Sequence, residues 1–160
     1  MSLGLASPTR RGHAKGAAVI LILSTVAYLM LTAANAGSLD AVRWQARPLL
    51  IFAPNQQHAD VQRQLSAVAE NRAQLQDRDM LVYLITTDGV IKAVGEGPDL
   101  NATKLRQTFG VDSDETLALL VGKDGGVKRR ARLPVRLETL FALIDSMPMR
   151  REEMRRDGTT

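Results

Sequence analysis

The 160-residue chain contains no cysteine and few aromatic residues, which make up 4% of it. The absence of thiols excludes disulfide bonds, thiol redox catalysis, iron–sulfur clusters and cysteine-ligated zinc. The five aromatic residues after position 36 lie mostly in apolar stretches of core character, so a stacking platform for single-stranded nucleic acid is not expected.

A strong excess of one charge is also missing, with 21 basic and 17 acidic residues. Three of the basic residues and none of the acids fall within residues 1–36, which leaves 18 basic and 17 acidic residues in the other 124. A nucleic-acid-binding domain would keep a basic face after removal of a leader. Binding to nucleic acid is therefore not predicted.

The first 36 residues have the pattern of a secretory signal peptide. A basic segment carries Arg10, Arg11, His13 and Lys15. An uncharged apolar run over 16–32 follows, and then Ala34-Asn35-Ala36 supplies small residues for signal peptidase. The pattern predicts cleavage after residue 36, a mature domain over 37–160 and a periplasmic location in a bacterium.

An uncleaved membrane anchor is the alternative for this segment, because a run of about 17 apolar residues is near the lower limit for spanning a bilayer. If the leader is removed, contact with the membrane is transient. Arg10 and Arg11, followed by Lys15, also hint at the twin-arginine route, although His13 stands where that signal has a bulky apolar residue. The export route stays open.

The pattern after residue 36 predicts a β-α-β-α-β-β-α order and hence an α/β fold. The predicted strands are 48–54, 80–86, 116–121 and 127–133, and the predicted helices are 57–74, 101–109, a helix from 134 and a short charged helix over about 148–157. A βαβ unit followed by a ββα unit is the thioredoxin-like arrangement, a central mixed sheet of about four strands with helices on both faces. Both helical crossovers are expected to join parallel strands.

Four blocks of the sequence resemble a domain-of-unknown-function family of secreted bacterial proteins. The blocks are Trp44 with 47–53, then 77–80, the Gly-Lys-Asp-Gly-Gly-Val-Lys segment at 122–128, and 144–154, which includes Asp-Ser-Met-Pro-Met-Arg-Arg. Related domains occur in vertebrate sushi-repeat and other extracellular-matrix proteins. The resemblance covers about residues 39–156 and implies a thioredoxin-like fold related to peroxiredoxins, without an established reaction.

In a thioredoxin-like fold the active site follows the first strand, which here is the segment 53–58. It holds no cysteine, and residues 112–116 lack the proline that usually precedes the third strand. The free N–H groups of the next helix can bind a small anion, with hydrogen bonds from Asn55, Gln56 and His58. The alternative is ordinary capping by Asn55, with His58 in solvent.

A second candidate surface is the stretch Met147-Pro148-Met149-Arg150-Arg151. Met147 and Met149 with Arg150 and Arg151 can form a docking patch for a partner, or the stretch can be a rigid joint between helices. No metal site is predicted, because the methionines lack another soft ligand.

A run of basic residues lies in and after the last predicted strand, at Lys128, Arg129, Arg130, Arg132 and Arg136. It can attract an anionic lipid, a polysaccharide or an acidic partner, or it can be a solvated edge strand. The preceding Asp124-Gly125 is expected to form a hairpin turn rather than a phosphate loop.

Taken together, these patterns predict an exported, redox-inactive binding module without a cofactor. Its expected partner is another envelope protein or an anionic glycan. The alternative is a cysteine-free enzyme or small-anion binder in the pocket after the first strand. That alternative requires Asn55, His58 and either Arg150 or Arg151 to meet in one cleft.

Overall fold

Five strands form one mixed sheet at the centre of the domain in a computed structural model, which describes residues 38–158. The strands are β1 (Arg47–Phe52), β2 (Met80–Ile85), β3 (Val90–Val94), β4 (Leu117–Val121) and β5 (Val127–Arg132). The predicted leader, residues 1–36, lies outside the described residues. From residue 38 to residue 158, no helix is long and apolar enough to cross a membrane.

The strand order is β3-β2-β1-β4-β5, with β1 parallel to β2 and every other pair antiparallel. Every residue of β1, β2 and β4 is buried. This agrees with their continuous apolar sequences, which suit strands covered on both faces. The outer strand β5 is largely exposed, and β3 is partly exposed.

Helices cover both faces of the sheet, as predicted. They are a 3-10 helix (Leu39–Val42), α1 (Ala59–Glu70), α2 (Arg72–Asp77), α3 (Ala102–Phe109), α4 (Leu137–Asp145) and α5 (Pro148–Arg156). One core layer joins α1, α2 and α4 to the sheet, and the other joins the 3-10 helix and α3 to the opposite face. The predicted stripe of α4 is buried throughout, at Leu137, Leu140, Phe141 and Ile144.

Strand β3 was missing from the predicted order of about four strands. Thr86 N–H bonds to the Gly89 carbonyl at 2.8 Å, and the Asp88-Gly89 turn returns the chain along β2 as a hairpin. Because β3 reverses the chain, the crossover through α3 brings β4 back antiparallel to β1. The expectation that this second crossover joins strands parallel to β1 was therefore wrong.

The predicted helix 57–74 is divided at Asn71 into α1 and α2. The Asn71 side chain donates a hydrogen bond to the carbonyl of Ala67 at 2.9 Å, and its backbone leaves helical geometry. An asparagine side chain that bonds to nearby backbone competes with helix continuation. The apolar repeat continues across this break, so the pattern alone did not reveal it.

Candidate functional site

The segment after β1 does not have the capping arrangement that the sequence predicted. His58, rather than Asn55, is the N-cap of α1, and its Nδ1 accepts a hydrogen bond from the Asp60 N–H at 3.3 Å. Asn55 and Gln56 are exposed beside it. His58 thus has a structural partner at the start of α1.

The polar groups proposed for a pocket after the first strand are divided between the two ends of the sheet. His58 follows the C-terminal end of β1, whereas Arg150 belongs to a cluster around Arg47, the first residue of β1. A six-residue strand is about 20 Å long at ~3.3 Å per residue. Asn55, His58 and Arg150 therefore do not meet in one cleft.

The end of the sheet at which β1 begins holds a continuous network of ion pairs. Four cations and four carboxylates take part, namely Arg47, Arg78, Lys123, Arg150, Asp77, Asp79, Asp145 and Glu153. All eight come from the sequence blocks that carry the family resemblance. The resemblance thus points to a charge-balanced structural cluster.

Arg47 and Glu153 form the centre of this network. The Arg47 side chain is only 2% exposed, and its Nη2 lies 3.0 Å from both carboxylate oxygens of Glu153. Its Nη1 donates to the carbonyl of Arg78 at 2.9 Å. Lys123 Nζ approaches Glu153 at 2.8 Å and Asp79 at 2.7 Å. These bonds attach α5 to the first residue of β1 and to the turn after β4.

Arg150 is buried in the same network rather than exposed for docking. Its Nη2 lies 2.6 Å from Asp77, and its Nε lies 3.5 Å from Asp145. Met147 packs partly buried against the core, whereas Met149 and Arg151 are exposed. Of the four residues proposed as a docking patch, Met149 and Arg151 are exposed, Met147 is half-buried and Arg150 is buried.

The network lowers the pKa of Glu153 below its ordinary value of 4.5. Burial by itself raises this pKa, but hydrogen bonds from Lys123 and Arg47 outweigh the effect of burial. The charged carboxylate is therefore stabilised in the folded state relative to the unfolded chain.

We expect the protein to lose stability as the pH falls below about 4.5 and through the lower pKa of folded Glu153. Above this range the carboxylate is charged in both states, and its ion pairs contribute fully. Below it, the unfolded chain binds the proton first, so folding loses this contribution. Urea denaturation at several pH values should show a smaller acid-induced loss for Glu153→Gln than for the original protein. Equal acid-induced losses of stability in the two proteins would contradict the assignment of this pH dependence to Glu153.

Three exposed apolar residues are linked to the turn between β4 and β5. Among residues 38–158, the large hydrophobic residues exposed to solvent are Trp44, Ile91, Val127 and Met149. Trp44 N–H donates to the carbonyl of Lys123 in this turn at 2.7 Å, and Val127 follows the turn directly. We call Trp44, Val127, Met149 and the turn 122–126 the hairpin surface.

A cleft of about 300 Å³ lies on one side of this turn. Met149, Met147 and Pro148 line it together with Lys123, Asp124 and Lys128. Asp124 shapes the turn, because one carboxylate oxygen accepts from the Gly126 N–H at 3.1 Å and the other pairs with Lys128 at 2.6 Å. The cleft therefore combines apolar walls with lysines that are paired with carboxylates.

A second cleft of about 190 Å³ lies on the other side of the turn, bordered by Gly122 and Gly125. Its apolar walls include Leu39, Val42, Pro48, Leu105 and Phe109, and Arg43 and Lys104 also line it. Gly125 has φ +83°, a conformation that favours glycine, and Arg43 Nε donates to the Asp124 carbonyl at 3.0 Å. The two clefts thus share the turn.

The basic residues of β5 differ in their partners. Lys128 pairs with Asp124, and Arg130 pairs with Glu115 at 3.4 Å while also bonding to the carbonyls of residues 109 and 110. Arg129 and Arg132 have no carboxylate partner within the described part of the chain. Part of the basic run is therefore uncompensated.

The described residues contain no group of three or more histidines, aspartates or glutamates placed to hold a metal ion. Sequence reasoning also did not identify Asp77, Asp79, Lys123 and Asp145 as members of one cluster. Their only signal was their position in the family blocks, because nothing in local spacing shows that distant charges meet.

The sheet order, with helices on both faces, defines a thioredoxin-like fold. In agreement, the structure resembles the reduced 2-Cys peroxiredoxin of Plasmodium vivax with a TM-score of 0.54. That similarity covers 72% of this chain and 83% of the peroxiredoxin chain, at 14% sequence identity. It shows the fold alone.

Residues 38–153 match the family described as Domain of unknown function (DUF4174), and the chain belongs to this family. A similar protein is coiled-coil domain-containing protein 80 of Danio rerio, which is 34% identical over 133 residues. The match covers 72% of this chain but only 15% of that relative, so the chain spans a small part of the relative's length.

Proposed function

We propose that this protein is a redox-inactive binding module of the bacterial envelope and that the hairpin surface is its binding surface. One observation carries the proposal: Trp44, Val127 and Met149, exposed by 60%, 49% and 39%, are each linked to the same turn. Trp44 is linked through its backbone N–H, Val127 follows the turn in sequence, and Met149 shares a cleft with it. Clustered exposed apolar residues are typical of binding surfaces, whereas single ones are ordinary. Aromatic residues and methionine are also enriched at interfaces.

The absence of thiols supports a binding role over catalysis. The segment after β1, where a thioredoxin-like fold has its redox centre, contains no cysteine, and its His58 caps a helix. The leader pattern of residues 1–36 is the basis for placing the module in the periplasm.

The chemistry of the surface favours a protein partner with apolar and acidic side chains. Two clefts with apolar walls flank the turn, and each suits an apolar side chain. Arg43 and Lys104 line one of them, whereas Lys128 in the other is already paired with Asp124. A polysaccharide has the charges but not the apolar side chains, so we assign an envelope protein rather than an anionic glycan.

Site-specific photo-crosslinking in intact cells tests this function. The full-length chain carries a C-terminal tag and a benzoylphenylalanine at position 44, 127 or 149, one position per variant. Ile91 provides the matched control, because it is exposed by 43% but lies on β3, at the opposite edge of the sheet. We expect the three positions to give one common crosslinked protein that position 91 does not give.

The crosslinking result has two contradicting outcomes. Equal crosslinking from position 91 would show nonspecific contact, and no crosslink from any of the three positions would remove the hairpin surface as a binding site. Arg151→Ala can be combined with the crosslinking variants, because Arg151 is exposed. Arg150→Ala is unsuitable, since it breaks the ion pairs of the buried Arg150 with Asp77 and Asp145.

A further inference from the structure

We propose that the partner adds a strand to the outer edge of β5 and that this strand carries consecutive acidic residues. The inference rests on the proposed function and names the chemistry of the partner segment. Among residues 38–158, β5 is the last strand on its side of the sheet, and no strand pairs with its outer edge. An open edge presents backbone N–H and C=O groups to which an extended segment can bond.

The side chains of β5 leave this edge accessible. Every residue from Val127 to Arg132 is exposed except Ala131, which is half-buried. The edge is six residues long, about the length of an ordinary strand. An added strand therefore has room to form a full ladder.

The uncompensated charges of β5 are present on both faces of the sheet. Arg129 is paired in register with Leu120, whose side chain belongs to the core layer of α1 and α4. Arg132 is paired with Leu117, which belongs to the opposite layer. Paired residues of an antiparallel ladder share a face. Arg129 and Arg132 thus require carboxylates on opposite faces of the added strand.

This arrangement determines the pattern of the partner segment. Successive side chains of a strand point to opposite faces, so acids at alternate positions would meet only one of the two arginines. Acidic residues three positions apart, as within a run of consecutive acids, lie opposite both arginines and on opposite faces. Pairing of β5 with β5 of a second copy would bring like charges together and is unfavourable for that reason.

The edge of β5 also continues into the hairpin surface. Lys128 belongs to β5 and lines the same cleft as Met147 and Met149. A strand that runs along β5 therefore reaches this cleft at the Val127 end. The expected partner segment is a run of consecutive acidic residues with an apolar residue beside it.

Fluorescence anisotropy with synthetic peptides tests strand addition. The probe is a fluorescein-labelled peptide of alternating Glu and Asp followed by Val and Phe, and its matched analogue is N-methylated at every second residue. N-methylation removes backbone donors without changing side-chain charge. We expect the purified full-length protein to bind the first peptide and the analogue to bind about tenfold or more weakly.

Charge reversal on β5 provides a second test of strand addition. The double variant Arg129→Glu/Arg132→Glu should weaken peptide binding by about tenfold or more. Arg63→Glu/Arg72→Glu makes the same change in net charge on exposed residues of α1 and α2 and should leave binding unchanged. Equal binding of the N-methylated peptide, or equal loss in the control variant, would overturn strand addition. Binding of dextran sulfate that depends on Arg129 and Arg132, without binding of the peptide, would also overturn it.

Different results would contradict the proposed hairpin surface and the proposed strand addition. If positions 44, 127 and 149 crosslink a partner in cells with and without the Arg129→Glu/Arg132→Glu change, the binding function stands and strand addition is wrong. If these positions crosslink nothing while the acidic peptide binds through its backbone, the β5 edge stands and the hairpin surface is wrong.

Discussion

Replacing Glu153 with alanine is expected to lower the free energy of unfolding by about 3 kcal/mol, because it leaves a buried cation without its partner. Arg47, with a side chain only 2% exposed, has Glu153 as its closest carboxylate at 3.0 Å, while Asp79 lies at 3.9 Å. Lys123 loses one of its two carboxylates as well. Urea denaturation followed by far-ultraviolet circular dichroism measures the change.

Glu152→Ala is the matched control in the same helix. Glu152 pairs with Arg155 and Arg156, both of which are largely exposed, and such pairs contribute ~0.5 kcal/mol or less. We expect the two substitutions to differ by at least about 2 kcal/mol. Similar losses for Glu152→Ala and Glu153→Ala would show that the network contributes no more than surface charges do.

A double replacement distinguishes the destabilisation caused by an unpaired buried charge from the net contribution of the ion pair to the free energy of unfolding. Arg47→Met/Glu153→Leu removes both charges and fills the space with apolar side chains of comparable length. Such replacements of buried ion pairs are often neutral or stabilising. We therefore expect the double variant to be more stable than Glu153→Ala alone. A further loss would mean that the geometry of the pair itself stabilises the fold.

Arg106→Met is expected to lower the free energy of unfolding by about 2 kcal/mol, because it removes a donor shared by backbone carbonyls. Arg106 donates to the carbonyl of Ala53 at 2.7 Å and to that of Asp112 at 2.6 Å. Ala53 is fully buried, so its carbonyl cannot turn to water instead. The guanidinium also lies over the ring of Phe52, 5.5 Å from its centroid. Burial lowers the pKa of Arg106, in keeping with its desolvated position.

Lys104→Met is the control for this substitution, since Lys104 lies in the same helix with its side chain exposed. Thermal unfolding should separate the two variants, with little change for Lys104→Met. Because Arg106 bonds near the C-terminal end of β1, crosslinking at the hairpin surface should persist in Arg106→Met. Loss of crosslinking with unchanged stability would contradict a purely structural role.

The blocks that carry the family resemblance show which features of the candidate site could be predicted from the sequence. The segment 122–128 was correctly interpreted as a hairpin turn, because Asp-Gly chemistry is local. Arg150 was interpreted as part of a docking patch, or of a rigid joint between helices, because methionines and arginines stand side by side in 147–151. Its burial depends on Asp77 and Asp145, which are far from it in sequence.

Strand β3 shows the same difference between what a local pattern predicts and what contacts between distant segments decide. The Asp88-Gly89 turn has the same signal as Asp124-Gly125, but its strand is short, half-exposed and interrupted by Lys92. Pairing with β2 is what makes it a strand. Omitting it also reversed the expected direction of β4, since one unrecognised hairpin changes the direction of the strands that follow.

By itself, the sequence determined the properties that depend on composition and on neighbouring residues. These are the absence of thiol chemistry, the near balance of charge after residue 36, the buried strands β1, β2 and β4, and the apolar stripe of α4. The tertiary structure alone decided which distant charges form the Arg47–Glu153 network and which exposed side chains border one turn. The reason is physical: local patterns set the conformation of a segment, whereas ion pairs and surfaces arise only when folding brings distant segments together.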